Sequence, residues 1–449
     1  MAKATYSYIS LFSGALGLDI GLERTKRFRS KAFVESVPEF CETIRLNHSA
    51  SRIGSPDAAV VERDIRTVDP LELGRSVGID VGDLDLLVGG PPCQAFSSAG
   101  RRQSVQDPRG ELLWEFLRFI VELRPRYFLM ENVRGLTSAA LRHRPLASRP
   151  ERGGPPLELD ELPGSVLDLW VRDLREATGD AYRVDCFEVN AVNYGAPQLR
   201  ERALFVGNRV GRTVEFPAST HGPGTPNSFR TLRDSIGDLR EADPVLMDFS
   251  PRKQAYLAMV PPGGNWRSLP ESVQRESMGR AWYAKGGRSG WWRRLSWDLP
   301  SPNVLTMPNH ASTSMCHPDE VRVLSVAECA AIQEFPADWV FCGRIPQQYE
   351  QVGNAVPVRL GEVGGEVIAA CLDDDAALTS AEREAQRAWA MFAPAFRKVY
   401  LDSQVRTRQW FRNGEVFVWS DGKDNGHAQY KANGRGAANK KAGPEAGLL

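Results

Sequence analysis

The residue most suited to chemistry is Cys93, within Gly89-Gly90-Pro91-Pro92-Cys93-Gln94-Ala95-Phe96-Ser97-Ser98. The apolar run Leu84-Asp85-Leu86-Leu87-Val88 ends abruptly in two glycines, two prolines and this cysteine. The prolines stiffen the turn, and a strand tip in an open α/β sheet faces the ligand crevice. Rigid placement suits a nucleophile, because a misplacement of ~1 Å costs rate heavily. Cysteine attacks as thiolate, from an ordinary pKa of about 8.5, so a helper group is expected. Glu131-Asn132-Val133 closes the next strand pattern and brings Glu131 to the same crevice. A buried glutamate can act as a proton donor. Together they suit one task, making C5 of a cytosine nucleophilic. Thiolate adds to C6, the acid protonates or hydrogen-bonds N3, and C5 can then attack a methyl group. No histidine lies in these motifs, so a cysteine-protease pairing loses support.

A second cluster is Leu11-Phe12-Ser13-Gly14-Ala15-Leu16-Gly17-Leu18-Asp19. It carries G-x-x-G, whereas the dinucleotide fingerprint is G-x-G-x-x-G, so a cofactor smaller than a dinucleotide fits better. Glu35, about twenty residues on, can accept from two ribose hydroxyls. Asp64-Ile65 pairs a carboxylate with an apolar residue, as an adenine needs. The plainer reading is a tight glycine turn and a surface glutamate.

These residues need a scaffold. The chain has 449 residues, 42% hydrophobic and 25% charged, with net charge zero. That is a soluble globular composition, without whole-chain attraction to nucleic acid. No run approaches the roughly 18 apolar residues of a membrane span, and there is no signal peptide. Seven widely spaced cysteines without CxxC point away from disulfides and zinc, and to a reducing, cytoplasmic setting. Residues 6–135 alternate strand and helix patterns, which predicts an α/β fold with a parallel sheet covered on both faces. Residues 143–164 read as a loop insertion, and 183–208 as two further strands. Residues 213–296 are irregular and rich in Gly, Pro and Trp, and read as a smaller second domain. The division is 1–212, 213–296, 297–375 and an extension, 376–449. That extension reads as helical, then hairpin-like around Phe411-Arg412-Asn413-Gly414, and disordered from about Asn425. Its Arg397, Lys398, Arg406, Arg408 and Arg412 read as a solvated helix face, with contact to DNA the alternative.

In this order the motifs resemble the DNA cytosine-5 methyltransferase family of the bacterial restriction–modification type. LFSGALGLD resembles its S-adenosylmethionine motif, GGPPCQAFSSAG its Pro-Cys motif and ENVRG its Glu-Asn-Val motif. QLRERALFVG resembles its Q-x-R-x-R motif, and VLSVAECAAIQEFP and QVGNAVP its late motifs. The resemblance covers roughly residues 6–210 and 294–371. It implies a Rossmann-like, S-adenosylmethionine-dependent sheet plus a target-recognition domain. It implies Cys93 as nucleophile, Glu131 as partner of N3, and Arg200 and Arg202 holding the flipped cytosine and a flanking phosphate. Phe12, Gly14, Gly17, Leu18, Glu35, Asp64, Ile65, Pro91, Leu112, Asn354 and Val356 would line the cofactor pocket. Gln94, Ser97, Gln198, Arg293 and Arg294 would touch DNA, and the loop from about Ala95 to Arg109 would close over it. Two departures are Leu16, where glycine is more usual, and Asn303, where threonine is common.

Residues 251–296 hold nine Lys/Arg and two acids, interleaved with Trp266, Trp282, Tyr283, Trp291 and Trp292. That mixture fits a tryptophan core under a phosphate-binding surface, the basic residues facing double-stranded DNA. The histidines lack metal-ligand company, and no metal is expected. The expected partners are DNA and a cognate restriction endonuclease or other defence-system proteins, with the chain itself a monomer. Two alternatives compete, a tRNA cytosine-5 methyltransferase and a DNA-binding protein with an idle site. The long basic, Trp-rich segment favours duplex DNA, and the intact Cys93, Glu131, Arg200 and Arg202 favour an enzyme.

Overall fold

The computed structural model describes residues 3–92, 111–283, 290–390, 396–401, 417–418 and 429–430. Eight strands form one sheet: β1 (Tyr6–Leu11), β2 (Phe28–Glu35), β3 (Ala59–Glu62), β4 (Leu86–Gly89), β5 (Tyr127–Val133), β6 (Arg183–Asn190), β7 (Glu201–Asn208) and β8 (Phe396–Tyr400). Their spatial order is β3-β2-β1-β4-β5-β7-β6-β8. The expected parallel sheet is therefore mixed. β7 runs antiparallel to both β5 and β6. The reason is the short link 191–200, which turns the chain straight back, whereas parallel neighbours need a long crossover.

The central strands alternate between two cores, as strands buried on both faces must. Tyr8, Leu86, Val88 and Leu129 join one apolar cluster. Ile9, Leu11, Leu87, Phe128 and Met130 join the other. Helices α1 (Gly17–Arg24), α2 (Pro38–Ser49), α3 (Pro70–Ser76), α4 (Glu111–Leu123) and α5 (Ser165–Thr178) supply the crossovers. α4 buries Phe116, Phe119 and Ile120 completely against Phe128, and α5 adds Trp170. The insertion before α5 is folded down by Arg142, which pairs with Glu158 at 2.5 Å and Asp160 at 2.8 Å, and by Arg144 on buried Glu161.

Residues 213–296 contain α6 (Leu232–Ile236), α7 (Pro251–Ala258) and α8 (Glu271–Met278). Trp266 and Trp292 are buried, and both belong to the cluster that also holds Tyr8 and Val88. Their rings meet Trp282 and Tyr256 at 5.5 and 5.1 Å. Helices α9 (Val326–Ile332), α10 (Ile345–Asn354), α11 (Val358–Ala377) and α12 (Ser380–Ala390) follow. A Ser325/Glu328 capping box starts α9.

α11 returns to pack on α1 with backbone against backbone. A Cβ on Gly17 would lie 2.2 Å from the Val356 carbonyl oxygen, and one on Gly361 2.3 Å from that of Leu18. Only glycine allows this approach. In the extension, β8 stands where a solvated helix was expected. Gln429–Tyr430 pairs antiparallel with Phe417–Val418, although the sequence there reads as disordered. Arg406, Arg408 and Arg412 lie outside the described residues.

Candidate active site

The chain runs outward from β1 through β2 to β3, then crosses back to β4 and β5. The crevice at that reversal, beyond the strand C-termini, is where such sheets take ligands. The turn after β1 is built from left-handed residues: Phe12 (φ 52°), Gly14 (φ 55°) and Leu16 (φ 68°). Two of these are not glycine, a conformation costing roughly 1–2 kcal/mol each. Leu16, the departure from the usual glycine, keeps a conformation suited to glycine while its side chain is fully buried. A Cβ on Gly14 would meet nothing nearer than the Phe12 oxygen at 4.0 Å, so the turn has free space beside it.

Glu35, at the end of β2, holds this turn. Its Oε2 accepts from the Gly14 N–H at 2.8 Å, and its Oε1 from Ser36 and Val37 at 2.7 and 3.0 Å. Oε2 thus keeps a lone pair for a hydroxyl. Asp64 caps the turn after β3, with its oxygens on Arg66 at 2.5–3.2 Å, and its carboxyl is lowered by that pairing. Ile65 is buried, Leu112 partly so. Val356 is buried against the glycine turn, with Asn354 exposed beside it. The glycines, Glu35 and this apolar wall fit a nucleoside-bearing cofactor.

Cys93, Gln94, Ser97 and the loop from Ala95 to Arg109 lie outside the described residues. The turn leading to Cys93 is described, and it is tied to the end of β5. Asn132 Nδ2 donates to the Pro91 oxygen at 3.0 Å, and its Oδ1 accepts from the Val133 N–H at 2.8 Å. A Cβ on Gly90 would sit 3.2 Å from Glu131 Oε2. Glu131 Oε1 pairs with Arg202 Nε at 2.6 Å, and both side chains are about nine-tenths buried. Arg202 reaches Glu131 because residue 202 on β7 stands opposite Val133, two residues along β5 and on the same face. The carboxyl therefore has one oxygen fixed by a cation and the other beside the cysteine turn.

Arg200 departs from expectation. Its guanidinium is fully buried, Nη1 donating to Asn303 Oδ1 and the Val304 oxygen (both 2.9 Å) and Nη2 to the Gly353 and Ala355 oxygens (2.7 and 2.8 Å). Burial, reinforced by the Arg202 charge, lowers its proton affinity, with Glu131 opposing. These four acceptors make Arg200 an internal cross-brace. Asn303, the second departure, is one arm of that brace. Gln198 is likewise interior, its amide donating to Gln333 Oε1 at 2.6 Å and the Ile332 oxygen at 3.2 Å. Arg294 donates to the backbone oxygens of Pro318, Asp319 and Val260, and Arg293 to that of Ser314. Burial takes Arg293 down to about 10. Both expected DNA contacts hold the protein's own chain.

Two residues escaped the sequence reading. Gln333 donates to the Val352 and Ala355 oxygens at 2.7 and 3.1 Å, bracing the segment that carries Asn354. Asn132 fixes the cysteine turn. Its only signal was its place beside Glu131.

Comparison with known proteins agrees with this arrangement. The family model described as C-5 cytosine-specific DNA methylase matches residues 6–370. The chain is 37% identical over 382 residues to type II methyltransferase M.Eco47II of Escherichia coli, covering 83% of this chain and 81% of that one. It is 34% identical over 361 residues to M.Sau96I of Staphylococcus aureus, covering 80% and 75%. A solved structure described as a DNA modification methyltransferase encoded within an E. coli prophage shares the fold, with TM-score 0.54 and 20% identity over 82% of this chain and 99% of that one. With its sheet, glycine turn and Cys-bearing turn in this order, the chain belongs to the C-5 cytosine-specific DNA methylase family and is a DNA (cytosine-5-)-methyltransferase.

Proposed function

We propose that the protein transfers a methyl group from S-adenosylmethionine to C5 of a cytosine flipped out of double-stranded DNA, within a short recognised sequence. In this reading it is the modification partner of a restriction endonuclease or other phage-defence component, as the type II names of its relatives suggest. The supporting observation is the Glu131 carboxyl, with Oε1 on Arg202 and Oε2 facing the Gly90 backbone of the cysteine turn.

S-adenosylmethionine supplies an electrophilic methyl group. Glu35 would hold it through its ribose, with Gly14, Ile65, Leu112 and Val356 as the walls. The target base must leave the stack, because C6 is closed off inside a duplex. Cys93 adds as thiolate to C6, and Glu131 Oε2 hydrogen-bonds or protonates N3, so the electron pair moves to C5. C5 takes the methyl group as the sulfonium S–CH3 bond breaks and S-adenosylhomocysteine leaves, and C5 then loses its proton to a base. The C6–S bond breaks, releasing the thiolate and restoring aromaticity. Arg202 keeps Glu131 pointed at N3. Residues 213–296 read the flanking sequence.

The test is base-resolution mapping of 5-methylcytosine in a methylation-free host expressing the chain or its Cys93→Ala variant. Methylation of one short motif by the parent alone is expected, together with a covalent adduct on a 5-fluorocytosine duplex. Methylation by the variant removes Cys93 as nucleophile. Methylation confined to tRNA replaces DNA as the substrate.

A further inference from the structure

β6 carries two acids inside its apolar pattern, Asp185 and Glu188, with 0% and 7% side-chain exposure. Buried carboxylates need cations. β8, which lies beyond the matched residues 6–370, supplies one to each. It pairs in parallel along β6, Asp185 opposite Arg397 and Glu188 opposite Tyr400. Arg397 Nε donates to Asp185 Oδ1 at 2.7 Å, and Lys398 Nζ lies 3.0 Å from Glu188 Oε1.

The Glu188 contact leads to the site. Arg134 Nε binds Glu188 Oε2 at 2.9 Å, and Arg134 Nη1 reaches Glu201 Oε2 at 3.3 Å. The Thr137 hydroxyl donates to Glu188 Oε1 at 2.5 Å, and Lys398 Nζ also donates to the Thr137 oxygen at 3.3 Å. Arg134 directly follows β5, whose Glu131 is the carboxyl of the site. Glu201 directly precedes Arg202, the partner of Glu131. Glu188 and Glu201 share a sheet face, and Glu131 and Arg202 occupy the opposite one, as the alternation of the paired strands requires. Two carboxylates and two cations thus lock the ends of β5, β6 and β7 from behind. Glu188 thus divides between Lys398, Arg134 and the Thr137 hydroxyl, so removing Lys398 changes how Glu188 holds Arg134.

We propose that β8 is a positioning element for methyl transfer, Lys398 fixing the Glu131–Arg202 pair through Glu188, Arg134 and Glu201. This rests on the reading of Glu131 as the group that meets cytosine N3.

The test uses the full chain with Lys398→Met, Lys398→Gln and Lys398→Arg, and with Glu131→Gln alongside. Single-turnover rates, KM for S-adenosylmethionine and for duplex DNA, and thermal unfolding are measured. In Lys398→Gln and Lys398→Met the methyl-transfer rate should fall about tenfold, ~1.4 kcal/mol of barrier. Both KM values should stay within about twofold, and Lys398→Arg should restore most of the rate, the pattern of an interaction serving the transition state. If Lys398→Met does not fold, Lys398→Gln and the Arg rescue carry the same comparison. A parental rate in folded Lys398→Gln, with Glu131→Gln inactive, overturns the positioning role alone. A loss of rate that Lys398→Arg does not restore, or that appears in KM, also overturns it. A parental rate in Glu131→Gln overturns the reading of Glu131 and this proposal with it.

Discussion

Replacing Arg200 by methionine separates an internal brace from a substrate contact. The guanidinium donates to four acceptors, three of them backbone oxygens. Methionine matches its length without leaving a buried charge, so the lost donors dominate. The Ala355 oxygen keeps Gln333 as a donor, leaving Asn303, Val304 and Gly353 to be resatisfied. Each buried acceptor stripped of its donor costs about 1–3 kcal/mol, and better apolar packing returns part of that. A net loss of about 3 kcal/mol is expected, a large part of the 5–15 kcal/mol that holds typical domains. Urea unfolding of the free protein, with neither DNA nor cofactor, measures it directly. The midpoint should fall, and S-adenosylmethionine affinity with it, because the 353–355 segment carries Asn354. The reasoning fails if unfolding free energy stays within about 0.5 kcal/mol of the parent while methylation disappears. Arg200 would then be meeting substrate.

Two other outcomes follow from the same structure. Gly17→Ala places a methyl group 2.2 Å from the Val356 carbonyl oxygen, which is backbone and cannot swing aside. Calorimetry should show cofactor binding weakened by about tenfold or more, since such overpacking costs ~1–3 kcal/mol, and unchanged affinity would detach α11 from the pocket. Burial lifts the Asp19 carboxyl to about 7, the Ser10 hydroxyl opposing and the Glu23 charge adding to it. Its folded value lies above the unfolded value of about 4, so the folded state binds this proton more tightly. That contribution is complete below pH ~4 and disappears as pH rises through about 7. Asp19→Asn should therefore gain stability relative to the parent between pH 4 and 8, and parallel stability curves would contradict the burial of a titrating acid.

The strand tips were legible because their signals are local. Val88 to Pro92 and Met130 to Val133 each contain an apolar run and its abrupt end, and adjacent parallel strands bring those ends together. The internal partners of Arg200 and Gln198 were not legible, for the opposite reason. Their acceptors lie at Asn303, Ile332, Gly353 and Ala355, more than a hundred residues away, and an arginine pattern alone looks like an open donor. The partners of Arg293 and Arg294 were hidden similarly, since a basic count does not reveal nearby carbonyls that curl around a guanidinium. The reversed direction of β7 was implicit in the short link 191–200. β8 could not be foreseen from Phe396-Arg397-Lys398-Val399-Tyr400 alone, because the acids that hold it sit on β6.

The glycine seam between α1 and α11 also sets the timing of activity during synthesis. Gly17 emerges early from the ribosome, while Val356 and Gly361 follow only after nearly the whole sheet has been made. At ~5–20 residues per second that delay is tens of seconds. Until then, one side of the pocket beside Gly14 is missing. A nascent chain therefore holds its DNA chemistry in abeyance, and the enzyme becomes competent only when α1 and α11 have met.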